Sequence, residues 1–216
     1  MNDIATTAAE ALLALDARPS GRPTLGPPLA RVLITLGILA MAIAARWVAT
    51  VEGRSDALLV GALFGTALLA GARLGGPGVS RLSSRSLASS VLLGLAAGAA
   101  LVAIAVLVRW PGPWVPLRPA ATFAPWALVT ITVAAGEEAL IRGALFDAVD
   151  EAAGATIAVV TCALVFALMH VPLYGWLVVP LDLGVGLVLG GLRLVSGGTL
   201  APVVAHAVAD LATWWL

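Results

Sequence analysis

Lysine is absent from this sequence, and charge of either sign is scarce. All twelve basic residues are Arg, and twelve acids balance them, so the formal net charge is zero. That leaves no basic footprint for nucleic acid. Charged residues make up only 11% of the chain, against about 25% in a soluble domain. The polar residues needed to cover a water-facing surface are missing, which excludes an ordinary soluble globule. Cysteine is nearly absent too: Cys162 stands alone inside an apolar run. A disulfide framework is therefore excluded, and packing is the reading for that thiol. Nor does the start read as a secretory signal, because Asp3, Glu10 and Asp16 interrupt it and no basic stretch precedes an apolar one.

What fills the chain instead is apolar. Hydrophobic residues account for 61% of it, and the mean hydropathy is +1.04. The runs are long enough for helices of roughly 20 residues, the length that crosses a bilayer. The fold class expected is an all-α, polytopic membrane bundle of about seven transmembrane helices. The spans read as 29–51, 57–72, 86–108, 121–146, 155–171, 174–192 and 199–216. The fourth continues as helix through Asp147, Asp150 and Glu151 to a turn at Gly154. Residues 8–17 read as a short amphipathic helix and 18–28, with four prolines, as a linker. The organisation expected is a cytosolic segment over 1–28 and a membrane domain over 29–216, whose chemistry-bearing core is 121–216. Trp110 and Trp114, in a Pro-rich loop, suit a membrane–water interface. Gly94 with Gly98, and Gly186 with Gly190, are small residues of the kind that let membrane helices approach closely. Arg18, Arg22, Arg31, Arg73, Arg81, Arg85 and Arg193 fall on one side of the seven spans, and Arg46, Arg54, Arg109 and Arg118 on the other. The larger group favours an N-terminus in the cytosol.

Ionisable side chains inside hydrocarbon are costly, so each is a functional hypothesis by default. Seven lie in the second half of the chain: Glu137, Glu138, Arg142, His170, Asp182, His206 and Asp210. The first half has none well inside a span. Glu138 and Arg142 are four apart, as are His206 and Asp210, so each pair shares a helix face. Glu137 lies about 100° around the helix from Glu138 and can point elsewhere. Glu137 precedes Gly154 by 17 residues and His170 follows it by 16, so an antiparallel pair brings both to one depth. With span edges near Phe146 and Thr199, Glu137 is about 14 Å and His206 roughly 11 Å from the inner edge. The bland readings are a structural Glu138–Arg142 pair, hydrogen-bonded packing histidines, and an Asp182 that lines a cavity facing Arg142 or Arg193.

Two chemistries are open to the cluster. Glu137 can take a proton from water, with His170 orienting that water or sharing the proton. His206 and Asp210 can then support a developing oxyanion. Alternatively Glu137, His170 and His206 make a three-ligand zinc site with a position left for water. No cofactor is required by these residues, and zinc is the one they leave open.

The motifs EEALIR at Glu137–Arg142, FALMH at Phe166–His170 and HAVAD at His206–Asp210 resemble the CPBP family. That family groups CAAX proteases and bacteriocin-processing enzymes, including the type II CAAX prenyl endopeptidase. Its patterns EExxxR, FxxxH and HxxxN or HxxxD occur here in order, over residues 121–216. The resemblance implies an all-helical membrane fold, a site inside the bilayer open towards the cytosol, and peptide-bond hydrolysis. It implies that Glu137 and His170 activate water and that His206 and Asp210 support the oxyanion. The family's best-studied eukaryotic members have Asn where this chain has Asp210. The HExxH helix of many zinc proteases is absent.

The reading expected is an intramembrane endopeptidase acting on a membrane-associated or lipidated protein or peptide. Its partners are that peptide or membrane-protein substrate and the lipid bilayer, with no nucleic acid. The competing readings are a non-catalytic immunity or scaffold protein and a small proton-coupled transporter. The absence of an inverted repeat weighs against the transporter. The Ala/Arg-rich, Lys-free composition points to a bacterial plasma membrane.

Overall fold

The computed structural model describes residues 26–51, 57–75, 86–108 and 122–216. The helix expected over 8–17, the linker expected over 18–28 as far as residue 25, Arg54, the loop arginines Arg81 and Arg85, and the Trp110/Trp114 loop lie outside the described residues. The described residues form seven helices and no strands: α1 Pro28–Val51, α2 Ala57–Gly75, α3 Leu87–Val108, α4 Phe123–Ala153, α5 Ala155–Tyr174, α6 Val179–Ser196 and α7 Leu200–Ala212. A 3-10 turn over Trp176–Val178 leads into α6.

Six of these are long and apolar enough to cross a membrane, and α7 is a shorter apolar helix. This is an integral membrane protein. At 31 residues, α4 is about 46 Å long against a hydrocarbon core of about 30 Å. Its last turns, with Asp147, Asp150 and Glu151, therefore extend past the apolar layer, as the sequence pattern indicated. α7 has only 13 residues, about 20 Å, too few to span. It stops early because the chain tightens after Ala212: Thr213, Trp214 and Trp215 donate backbone hydrogen bonds to the carbonyls of Asp210, Leu211 and Ala212. That turn lays Trp214 and Trp215 on the start of α4, where Trp214 lies 4.9 Å from Trp126 and Trp215 5.1 Å from Phe123 between ring centroids.

Small residues set the helix separations. A Cβ on Gly98 would sit 2.8 Å from the Ala205 carbonyl oxygen and 2.7 Å from Val208 Cβ. One on Gly94 would meet the Ala201 carbonyl oxygen at 2.7 Å. These two glycines, one helical turn apart, seat α7 against α3. Gly186 does the same for α6 against Ala163 of α5. Gly65 and Gly136 let α2 approach α4, where a Cβ on Gly136 would lie 2.6 Å from the Gly65 carbonyl oxygen. Sharp turns follow: Gly154, at φ 86°, reverses the chain between α4 and α5, and Gly197, left-handed at φ 68°, caps α6 by donating its N–H to the Arg193 carbonyl.

The core is built around the second half of α4. Leu140, Ile141, Leu145 and Phe146 pack with Phe64 and Leu68 of α2 and with Ala158, Cys162, Phe166 and Met169 of α5. Residues Ala139–Leu145 are wound as π-helix. Widening the helix shifts its ladder to i→i+5 bonds, and π segments concentrate at functional sites. Two of its carbonyls also take side-chain donors: Cys162 Sγ donates at 3.2 Å to the Ile141 carbonyl, which accepts the Phe146 N–H as well, and Arg193 Nε donates to the Arg142 carbonyl at 2.9 Å.

Candidate functional site

The π segment begins one residue after Glu138 and contains Arg142. Both side chains are fully buried, and Arg142 Nη1 donates to Glu138 Oε1 at 2.9 Å. Arg142 Nη2 donates to the Gly186 carbonyl on α6 at 3.3 Å, and its guanidinium lies 4.5 Å over the Phe166 ring of α5. One arginine thus ties α4, α5 and α6 together. Arg193 repeats the arrangement one turn deeper towards Gly154, donating to Asp147 Oδ1 at 2.8 Å and lying over the Phe146 ring. Arg31 of α1 reaches Glu151 at 2.7 Å. Pairing of this kind is what allows charge to sit in a low-dielectric interior.

His206 of α7 is held between carboxylates. Its Nδ1 donates to Glu138 Oε1 at 2.9 Å. Its Nε2 faces Asp210 Oδ2 at 3.4 Å and Glu137 Oε2 at 3.7 Å. These separations are longer than an ordinary hydrogen bond, so Nε2 faces both carboxyl oxygens with space for a proton donor between them. Glu137, Glu138 and His206 are buried, whereas the Asp210 side chain is 39% exposed. The consecutive glutamates therefore serve opposite ring nitrogens of one imidazole, with Glu138 on the closed side and Glu137 towards the open one.

His170 of α5 joins this group through Phe166. The Phe166 ring meets His170 at 4.9 Å and His206 at 5.3 Å, edge-on in both cases. His170 Nδ1 lies 3.0 Å from the Phe166 carbonyl oxygen and 3.0 Å from Asp182 Oδ2. The expectation that Asp182 faces Arg142 or Arg193 is corrected here. It lies at the opposite end of α6 from Arg193, and Arg142 is already committed to Glu138 and Gly186. Sequence reasoning flagged Asp182 as an intramembrane acid but had no spacing to pair it, since its partner is on another helix.

All six residues expected at the site, Glu137, Glu138, Arg142, His170, His206 and Asp210, come into this one network. Zinc ligation is a different matter. Among the described residues no group of three or more His, Cys, Asp and Glu is arranged to hold a metal ion. Of the expected ligands, His206 holds Glu138 through Nδ1 and His170 holds Phe166 and Asp182 through Nδ1, which leaves Nε2 as the nitrogen either ring could offer a metal.

The network has a closed end and a mouth. Arg142 and Glu138 are sealed, while His170, Asp182 and Asp210 side chains keep 15%, 18% and 39% of their exposure. His170 is in the last turn and a half of α5, Asp182 in the first turn of α6 and Asp210 in the last turn of α7. The mouth therefore lies at the end of the bundle opposite Gly154 and Gly197, away from Arg31 and Arg193. The start of α1, where Arg31 pairs with Glu151, and the mouth thus lie at opposite ends of the bundle.

Residues 119–212 are matched by the family model described as type II CAAX prenyl endopeptidase Rce1-like. No curated protein and no solved structure matches the chain.

Proposed function

We propose that this chain, whose residues 119–212 match the family model described as type II CAAX prenyl endopeptidase Rce1-like, is an intramembrane endopeptidase that uses Glu137 as the base for water. The observation that carries this reading is the clamping of His206 between Glu138 on one ring nitrogen and Glu137 with Asp210 on the other. A purely structural histidine needs one partner per nitrogen. Here two carboxyl groups, Glu137 and Asp210, face Nε2 beside the mouth.

In this reading the scissile peptide enters at the mouth. Glu137 takes a proton from water as the water oxygen attacks the carbonyl carbon. His170 orients that water. His206 and Asp210 support the oxyanion as the carbonyl oxygen gains charge. Collapse of the tetrahedral intermediate breaks the C–N bond, and the proton held by Glu137 passes to the leaving amine. Glu138 and Arg142 do not touch the reacting atoms; they fix His206 and the three helices around it. The substrate is a membrane-associated or lipidated protein or peptide.

The test uses purified protein in proteoliposomes with a complex peptide mixture, read by mass spectrometry of new termini. Glu137→Gln, which keeps shape and removes the base, should lower hydrolysis about 100- to 10,000-fold with an unchanged melting temperature. Equal hydrolysis by the natural protein and Glu137→Gln would remove Glu137 as the base.

A further inference from the structure

We infer that Asp182 is a positioning residue for His170: the pair is a two-residue relay that keeps the hydrogen on Nδ1 and presents a bare Nε2 to the mouth. The inference rests on the endopeptidase reading for its kinetic consequence, but its structural content stands apart from it.

The geometry comes from two helices. His170 Nδ1 has two oxygen acceptors 3.0 Å away, the Phe166 carbonyl one turn back on α5 and Asp182 Oδ2 on α6. A lone pair on Nδ1 would face both oxygens, so the hydrogen belongs on that nitrogen. The neutral ring then has Nε2 as its acceptor. The Phe166 carbonyl would fix the tautomer alone. What Asp182 adds is charge. Both side chains are more than four-fifths shielded, so the carboxylate acts with little screening. As the ring takes a share of the water's proton, Asp182 stabilises the positive charge that forms, the role a buried Asp has behind a catalytic His.

The sequence supplies the position for this purpose. Pro180, in the first turn of α6, needs no backbone donor and starts the helix there. That sets Asp182 in the first turn of α6, where the exposed N–H groups favour a negative charge. The short Gly175 turn and the 3-10 turn Trp176–Val178 bring this end of α6 beside the last turns of α5. The Asp182–His170 pair meets the Glu138–Arg142–His206 group through the Phe166 ring, which stands between the two imidazoles.

The chain has only two histidines, so a protein labelled with nitrogen-15 histidine gives two ring systems, assigned by a His206→Gln variant. The expected spectrum of the natural protein shows His170 protonated at Nδ1, with a strongly hydrogen-bonded proton. Asp182→Asn should shift that proton upfield and lower kcat about 10- to 100-fold with KM unchanged, by analogy with partners that orient a ligating His. Asp182→Glu should restore part of both. Unshifted His206 resonances report that the variants are folded. A hydrogen on Nε2 of His170, or an Asp182→Asn protein with unchanged Nδ1 resonance and kcat, would overturn the relay. Hydrolysis lost in Glu137→Gln but untouched in Asp182→Asn would defeat the relay alone. A protein without hydrolysis but with the expected His170 spectrum would defeat the endopeptidase reading alone.

Discussion

Arg142 contacts a carboxylate, a backbone carbonyl and an aromatic face from three different helices. Its partner Glu138 is fully buried, so Arg142→Met would leave a carboxylate without its cation. The expected loss of stability is about 3–5 kcal/mol, read as a lower melting temperature in detergent. Adding Glu138→Gln, which removes the stranded charge, should recover part of it. A single variant that melts like the natural protein would mean the pair contributes nothing. The pairing was legible in the sequence, because spacing of four on one helix needs only local geometry. Cys162 was less so. Burial was expected of it, but its bond to the Ile141 carbonyl depends on the π segment and could not be read from the thiol. Cys162→Ala should therefore destabilise by about 1 kcal/mol while Cys162→Ser stays close to the natural protein; equal melting of the two variants would dismiss the bond.

Helices α1 to α5 follow closely from the length of the apolar runs, and the Gly154 turn from the one glycine between two such runs; α6, expected over 174–192, starts at Val179 after the 3-10 turn and runs on to Ser196. Two features were not legible, and for physical reasons. The π winding of Ala139–Leu145 leaves no mark in hydrophobic pattern, because all faces of that segment are buried. The early end of α7 comes from Trp214 and Trp215 docking on Phe123 and Trp126, a contact between residues nearly 90 positions apart. The glycine seams were legible in part. Gly94 with Gly98 and Gly186 with Gly190 stood out by spacing, and all four meet a neighbouring helix. Gly98→Ala should force α7 away from α3 and destabilise by about 1–3 kcal/mol. Gly37→Ala, whose Cβ would meet nothing within 4 Å, should not. Similar melting temperatures for both variants would contradict the close packing of α3 on α7.

On the scale of the whole molecule, the seven helices put acids and arginines of α1, α4 and α6 at one end and the mouth at the other. Counting arginines treated each as a free loop charge, yet Arg31 and Arg193 are buried in ion pairs with Glu151 and Asp147. Sequence alone could not see that pairing, nor that it lies at the end remote from His170. Single cysteines placed at Ala153 and Trp176, both exposed, in a Cys162→Ser background should react with a membrane-impermeant label from opposite sides. The side that labels the Trp176 position is the side from which substrate enters. Labelling of both from one side would contradict the order of α4, α5 and α6 across the membrane.

The most direct test of the central claim compares peptide termini in membranes that express either the natural protein or Glu137→Gln at equal abundance. The account predicts a set of termini present with the natural protein and missing with the variant, which would also reveal the substrate. Identical termini in both membranes, with the variant shown to be folded and candidate substrates expressed, would contradict an endopeptidase and favour a non-catalytic membrane scaffold.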